Sequence, residues 1–164
     1  MIMKRIHAIL FFILSCLALS AQQASDAPRL EFVCELKVTI GQARVVGPTP
    51  QGDRVVIPIT GGTFEGPAIK GEVLAGGADY QLIDRAHNRT YLEAIYCIRT
   101  ADGVTIHVRN EGVLTQSDKG FYFMTSPRFE APIGSAYEWL NNAVFVCRPS
   151  VVNGVVCLKV WKVL

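Results

Sequence analysis

The sequence predicts an all-β domain made of short antiparallel strands. Along most of the chain, apolar and polar residues alternate at a period of two, which is typical of strands with one buried face. Glycine, proline and Asn/Asp turn signals separate these segments at short intervals. Beyond the N-terminal residues, no segment has a convincing helical period. The predicted architecture is therefore an antiparallel sandwich or barrel of about eight to ten strands.

The first residues, "MIMKRIHAILFFILSCLALSAQQ", predict a signal peptide over residues 1–21. Lys4 and Arg5 form a basic start, an apolar run follows over residues 6–19, and small residues lead up to Ala21. The run is shorter than the roughly 20 residues that a membrane-spanning helix needs. We therefore expect a secreted or periplasmic mature protein. The alternatives are an uncleaved anchor and a lipoprotein cleavage site at Cys16.

The charge of the mature chain argues against a nucleic-acid or anionic-lipid partner, and we expect no stable membrane insertion after signal cleavage. The 164 residues include 16 basic and 14 acidic side chains. Loss of residues 1–21 removes two basic side chains and no acidic ones, which leaves 14 of each sign. A neutral domain lacks the basic surface that binds phosphate backbones or anionic lipid. The oligomeric state is left open.

The strands are predicted in order along one domain, residues 31–164, after a short linker at 22–30. In "EFVCELKVTI" the alternation places Phe32, Cys34, Leu36, Val38 and Ile40 on one face. The turn at Ala101-Asp102-Gly103 gives the clearest hairpin signal. Further strands are predicted at 54–60, 68–75, 91–100, 103–112, 121–129, 137–147 and 154–164, and the alternative for residues 136–142 is a helical turn.

The glycine-rich stretch "GGTFEGPAIKGEVLAGGADY", residues 61–80, does not have the context of a phosphate-binding loop. Gly66 and Gly71 have the spacing of a P-loop, but Glu72 stands where that motif requires lysine. A dinucleotide site would need a helix after the glycines, and the sequence continues as a strand. Glycines inside strands more often mark bulges, corners or close backbone approaches. We therefore expect them to let one sheet coil and close into a barrel.

Four cysteines follow the predicted signal peptide, at positions 34, 97, 147 and 157. In an oxidising compartment they permit two disulfides, and a bridge between Cys147 and Cys157 across the turn Asn153-Gly154 is one candidate. The alternative is that each is a small buried side chain in a strand. No spacing indicates a metal site and no motif indicates a cofactor. Asn88 begins a glycosylation sequon, which applies in a eukaryotic host.

Several motifs in matching order resemble a known family. They are "GPTPQGDRVVIPITGGTFEGPAIKGEVLAGGADYQLI", "LEAIYCIRTADGVTIHVRNEG", "FYFMTSPRFEAPIGSAYEWLNNAVFV" and "VVCLKVWKV". Together they resemble the family catalogued as domain of unknown function 3237, also called uncharacterised protein family 0311. The resemblance implies a small calycin- or lipocalin-like barrel and no established reaction. Where the family usually has arginine, this chain has Ile95, Met124 and Asn142, which implies a different or less charged ligand if relatives bind an acidic one through those arginines.

Two residues are candidates for acid–base catalysis. Asp79, at the end of the glycine-rich stretch, is a candidate general base at a barrel mouth; the alternative is a turn aspartate bonded to its own backbone. His107 is a candidate acid or base if it lies on an inner wall. It shares one strand face with Thr105 and Arg109, however, and such a polar face is typical of a strand that faces solvent.

A set of aromatic and polar residues forms the predicted ligand pocket. Tyr137, Trp139 and Asn141 in "YEWLN" fall at a period of two, so we place them on one strand face; core packing is the alternative for Trp139. Arg128 is a candidate carboxylate clamp, or an ordinary exposed arginine. The predicted ligand-binding residues are Phe64, Asp79, Tyr80, Tyr96, Phe123, Arg128, Trp139 and Asn141.

Three functions are compatible with these residues. The first is a barrel that binds a small, partly apolar molecule. The second is a cofactor-independent enzyme of the isomerase, cyclase or lactone hydrolase type, with Asp79 or His107 as acid or base. The third is a structural or interaction module whose aromatic side chains form a core without a pocket.

Overall fold

Ten antiparallel strands form one sheet that closes on itself through the pairing of β1 with β3. The computed structural model describes residues 27–118 and 120–164, so the predicted signal peptide, residues 1–21, and Cys16 lie outside the described residues. The strands form one compact unit, Leu30–Val163. They are β1 Leu30–Ile40, β2 Arg44–Thr49, β3 Gly52–Glu65, β4 Lys70–Val73, β5 Ala78–Asp84, β6 Arg89–Thr100, β7 Thr105–Ser117, β8 Gly120–Glu130, β9 Phe145–Val152 and β10 Val155–Val163.

Eight strand positions make up the closed ring. Its order is β1, β10, β9, β8, β7 and β6, then β5 and β4 in one shared position, then β3, which returns to β1. β4 and β5 share a position because each pairs with β3 on one side and β6 on the other, at different heights. β2 pairs with β3 and extends the sheet beyond the ring. The predicted all-β antiparallel barrel is confirmed.

One interruption in β1 changes which side chains face inward. The register with β10 shifts between Phe32 and Cys34, a β-bulge that places Val33 and Cys34 both in the core. Phe32 is consequently 40% exposed and packs edge-on against Trp161, with ring centroids 6.0 Å apart. The alternation predicted for residues 32–40 was wrong at Phe32, because a bulge resets the phase of a strand by one residue.

Large side chains fill one end of the barrel. Phe129 and Phe145 meet edge-on at 5.0 Å between ring centroids, within a core cluster that also includes Phe64, Ile98 and Leu140. Leu140 belongs to a short 3-10 helix, Glu138–Asn142, that contacts β8. The first half of the strand predicted over 137–147 is therefore absent, and the structure has the helical turn that was the alternative for residues 136–142. A second 3-10 helix spans Arg85–His87. Among the described residues, no helix is long and apolar enough to cross a membrane.

Glycine permits the close approach of backbones where the barrel closes. Gly62 of β3 pairs with Val38 of β1 and adopts φ 141°. A Cβ atom at Gly62 would lie 2.2 Å from the carbonyl oxygen of Lys37. Its neighbour Gly61 has nearly the same φ, 144°, but a Cβ there would meet no atom closer than 3.7 Å. A side chain would strain the backbone at either glycine, but only at Gly62 would it also collide with β1.

We expect Gly62→Ala to destabilise the barrel more than Gly61→Ala. Both substitutions force an L-residue into a glycine conformation, but only the first drives a methyl group into the β1 backbone. The difference in free energy of unfolding should be about 2 kcal/mol. Chemical denaturation of both variants measures it. If both variants lose the same free energy of unfolding, β1 and β3 can separate enough to accommodate the methyl group without a measurable loss of stability.

Candidate functional site

The half of the barrel that the aromatic core does not fill contains a cavity of about 240 Å³. Ile40 and Val151 line it and are also 39% and 64% exposed, so the cavity opens at their end of the barrel. Each strand of the ring except β4 contributes side chains, mostly apolar and at a period of two. The lining residues are Val38, Ile40, Ile57, Ile59, Asp79, Gln81, Leu92, Ala94, Tyr96, Asn110, Leu114, Phe123, Thr125, Pro149, Val151, Val156 and Leu158.

Asp79 is the acidic side chain of this apolar wall. In β5 it lies between Ile57 of β3 and Ala94 of β6, which directs its carboxylate into the cavity. Its Oδ2 accepts a hydrogen bond of 2.7 Å from Gln81 Nε2, and the backbone N–H of Glu93 also donates to the carboxylate. Its buried Oδ1 has no hydrogen-bond partner among the described residues.

The surroundings of Asp79 favour its neutral form. Burial raises the pKa of this carboxyl above its ordinary value, and the hydrogen bonds from Gln81 and Glu93 offset only part of that rise. A carboxyl group in such a setting can donate as well as accept a proton nearer to neutrality than an exposed aspartate can.

Two further polar side chains face the cavity with unpartnered oxygens. Asn110 of β7 is 5% exposed and Thr125 of β8 is 8% exposed. Asn110 Oδ1 and Thr125 Oγ1 have no oxygen or nitrogen partner within the described chain, although both side chains interact with the Cys147 thiol. A buried polar group left without a partner costs about 1–3 kcal/mol. Such atoms are expected where a hydrogen-bond partner from outside the chain, such as ordered water or a bound molecule, occupies the site.

The thiols next to this site are poor nucleophiles. Burial raises the pKa of Cys147 to about 11, although polar contacts with Thr125 and Asn110 partly oppose it. Burial also raises the pKa of Cys34 to about 12, with a smaller contribution from Cys147. The phenol of Tyr96, which lines the cavity, likewise has a raised pKa because it is buried. These groups stay protonated at neutral pH and act by packing.

The predicted disulfide between Cys147 and Cys157 is not formed. All four cysteines of the described chain are free. Cys147 pairs with Val160 and is buried inside the barrel, whereas Cys157 pairs with Ser150, three register positions away. The odd separation places the two side chains on opposite faces of the sheet. A bridge would require a change of register.

Three of the predicted ligand-binding residues lie in the cavity: Asp79, Tyr96 and Phe123. Phe64 does not, because it is buried in the aromatic core at the filled end. Tyr80 is 40% exposed on the outer face, since it follows inward-facing Asp79 in β5. These two residues were assigned to the pocket wrongly.

The other predicted ligand-binding residues lie outside the cavity. Arg128 is exposed on the outer face of β8. The Asn141 amide is committed to the backbone of Ala131, accepting from its N–H at 2.7 Å and donating to its carbonyl at 2.9 Å. Trp139 packs against Phe145 and lies under the ammonium group of Lys162. Trp139 and Asn141 were predicted from a strand that the structure replaces with a 3-10 helix. Arg128 was predicted as a carboxylate clamp.

His107 is likewise not in the cavity. Its neighbours Ile106 and Val108 are completely buried, so the imidazole faces the outer wall of β7. There its Nδ1 lies 3.6 Å from Glu130 Oε1. The solvent-facing alternative holds, and Asp79 remains as the candidate acid or base. The replacements at Ile95, Met124 and Asn142 also fall outside the cavity lining.

Sequence reasoning missed Asn110, Thr125 and Gln81. Each carried a signal, because each is a polar residue in the inward phase of an otherwise apolar strand face. Asn110 continues the face of Ile106 and Val108, and Thr125 lies between Phe123 and Pro127 at a period of two. A polar residue in such a position is either bonded within the core or faces a cavity.

Comparison with known proteins identifies the family. A family model described as "Protein of unknown function (DUF3237)" matches residues 28–163. A UPF0311 protein of Clostridium acetobutylicum is 34% identical over 140 residues, which are 77% of this chain and 84% of that protein. A crystal structure of a protein of unknown function from the same organism has a TM-score of 0.76 and 33% identity, over 83% of this chain and 99% of that one.

Two further similarities bear on shape and chemistry. A crystal structure of a beta-barrel like protein from Acinetobacter baumannii has a TM-score of 0.78 and 28% identity, over 84% of this chain and 97% of that one. A protein of Penicillium herquei named a hydroalkoxylation enzyme is 28% identical over 137 residues, covering 83% of this chain and 84% of that protein. The match of the family model to residues 28–163, nearly all the described residues, shows that the chain belongs to the DUF3237 (UPF0311) family.

Proposed function

We propose that the barrel binds a small, largely apolar and uncharged molecule that carries a hydrogen-bond donor. One observation supports this most directly. The buried oxygens Asp79 Oδ1, Asn110 Oδ1 and Thr125 Oγ1 belong to side chains that face the same apolar cavity, and none has an oxygen or nitrogen partner in the described chain. A ligand hydroxyl or amide N–H would satisfy them while its apolar part replaces water against the wall.

The composition of the wall limits the charge and size of the ligand. No lysine, arginine or histidine is among the lining residues of the described cavity, and one carboxyl group is present. An acidic ligand would therefore be desolvated without a counter-charge. A volume of about 240 Å³ lies just below the range of roughly 300–1,000 Å³ for drug-sized pockets. A compact alcohol or phenol fits these limits.

Thr125→Val tests the binding proposal, because it keeps the shape of the side chain and removes its hydroxyl. We expect the ligand-free variant to be more stable by about 1 kcal/mol, since a buried unpaired group is lost. Affinity for a ligand found in a thermal-shift screen of small alcohols and phenols should fall about fivefold. Thr105→Val, on the outer face of β7, is the matched control and should leave affinity unchanged.

The screen also sets the condition for rejecting the proposal. A bound ligand stabilises the folded state by mass action, about 2.7 kcal/mol at 100 times its dissociation constant. If no alcohol or phenol raises the melting temperature of the wild type, the barrel is not a receptor for this class. If Thr105→Val weakens binding as much as Thr125→Val, the ligand lies outside the cavity.

A second candidate function is acid–base catalysis at Asp79. The observation that favours it is a carboxyl group that faces a mostly apolar cavity and whose pKa is raised by burial. The similarity to a protein named a hydroalkoxylation enzyme supports the same reaction class. Hydroalkoxylation adds an O–H bond across a carbon–carbon double bond, so it requires proton movement and no net oxidation. Asp79 would receive the hydroxyl proton and return a proton to carbon.

Asp79→Asn tests the catalytic candidate against small compounds that carry a hydroxyl group and an activated double bond. We expect turnover to fall at least about 100-fold, the usual contribution of a general acid or base. Binding should change much less, because asparagine keeps the size and the carbonyl acceptor. Product formation followed by NMR and binding followed by calorimetry separate the two effects. Turnover that survives the substitution would remove Asp79 from the mechanism.

The stability of the same variant should depend on pH. Because folding raises the pKa of Asp79, its ionisation destabilises the folded state as pH rises above 3.8, its ordinary pKa. Asp79→Asn should therefore raise the free energy of unfolding at pH 7, and the gain should shrink as pH falls towards 3.8. Denaturation curves at several pH values check this. A loss of stability at pH 7 would contradict it.

Asp102→Asn is the control with the opposite sign. Hydrogen bonds from the Thr100 hydroxyl and then from Tyr137 lower the pKa of Asp102 below its ordinary value of 3.8. Its ionised form therefore stabilises the fold above that pH, and this contribution is lost as pH falls through the lowered pKa. Replacement by asparagine should reduce stability at pH 7 and have little effect in strong acid.

A further inference from the structure

Strands β8 and β9 are joined much more weakly than their neighbours. In the described residues their register consists of one pair, Thr125 with Cys147. By contrast, β7 and β8 are paired continuously from His107–Glu130 to Ser117–Gly120. β9 and β10 are likewise paired along the full length of β9. We call the β8–β9 boundary the seam.

Two prolines account for the interrupted pairing. Extending the register from Thr125–Cys147 would place Pro127 opposite Phe145 and Phe123 opposite Pro149. Proline has no N–H to donate to a ladder. The carbonyl of Val144 accepts a hydrogen bond from the Val163 N–H in β10. Because backbone polar groups alternate in direction along a strand, those of Phe145, Cys147 and Pro149 point towards β8. At each position flanking the single pair, one of the two strands therefore has no N–H to donate across the seam.

A side chain replaces one of the lost backbone bonds. Ser126 Oγ donates to the Phe145 carbonyl at 2.8 Å, at the position where Pro127 has no N–H. On the other side of the pair, towards Phe123 and Pro149, the described chain shows no such replacement. Phe123 and Pro149 both line the cavity. The seam thus has the fewest hydrogen bonds between its strands beside the cavity.

Phe123 separates two apolar spaces at this point. Its side chain lines the cavity and also borders a groove of about 420 Å³ on the outside of the seam. The groove is formed largely by Phe121, Tyr122, Val146 and Trp161. Phe121 and Tyr122 are 62% and 54% exposed, and Phe121 meets the Phe123 ring edge-on at 6.1 Å. Phe123 therefore belongs both to the cavity lining and to the lining of the outer groove.

We propose that Phe123 sets the maximum length of the ligand, which is an unbranched apolar chain with a donor group at one end. This inference rests on the proposed binding function. The donor group binds at Asn110, Thr125 and Asp79. The chain then runs along β8 to Phe123, two residues and roughly 7 Å from Thr125. Removal of the ring joins the cavity to the outer groove through the seam.

A series of straight-chain primary alcohols, from butanol to decanol, tests this by calorimetric titration. In the wild type, affinity should increase about fourfold for each added methylene group until the chain meets Phe123, and then stop increasing. Phe123→Ala should move this limit to longer alcohols. Phe123→Trp should move it to shorter ones, which keeps the test decisive if the alanine variant folds poorly. Phe121→Ala, which removes the neighbouring ring of the groove but none from the cavity lining, is the matched control and should leave the limit in place.

The outcomes distinguish this inference from the function on which it rests. If the alcohols bind and the limit is the same in every variant, the chain leaves through the open end beside Ile40 and Val151, and the role of Phe123 is refuted. If Phe121→Ala shifts the limit as much as Phe123→Ala, the groove rather than the ring controls length. If no alcohol binds to any of the proteins, both the binding function and the inference fail.

Discussion

The pairing of β1 with β3 is the contact on which the rest of the barrel depends. Without it, the sheet would be open, and two long edges would present unpaired backbone groups. Closure brings side chains from distant parts of the chain onto one inner wall, so that Asp79, Asn110 and Thr125 share a cavity. It requires the backbones of β1 and β3 to approach at Gly62, where no other residue fits. The site is thus a consequence of closure.

The interior is divided by the size of the side chains that face it. At one end Phe64, Phe129 and Phe145 fill the available volume. At the other, valine, isoleucine and alanine leave space in which polar atoms remain unpaired. A protein selected for stability alone would gain by replacing Asp79 or Asn110 with an apolar residue. Their presence in an apolar wall therefore argues for a role in binding or chemistry and against the purely structural alternative.

Local periodicity was sufficient to predict the all-β class, because alternation within a strand depends on neighbouring residues only, whereas closure into a barrel was predicted from the glycines and the family resemblance. It failed where a non-local contact changed the phase or the element. The bulge before Cys34 is fixed by pairing with β10, and the 3-10 helix around Trp139 is fixed by packing of Leu140 into the core. Asp79 was found from its position after the glycines. Asn110 and Thr125 were missed because their significance appears only when three strands meet.

The prolines of the seam show how a closed barrel can still have a weak point beside its cavity. Proline is normally confined to sheet edges, and a barrel has none unless a ladder is interrupted. Pro127 and Pro149 supply that interruption on both partners, and Ser126 repairs it on the side towards the aromatic core. The repaired side belongs to the end that must stay packed. The unrepaired side, at Phe123, borders the end that contains the cavity, so the distribution of backbone bonds along the seam follows the division of the interior.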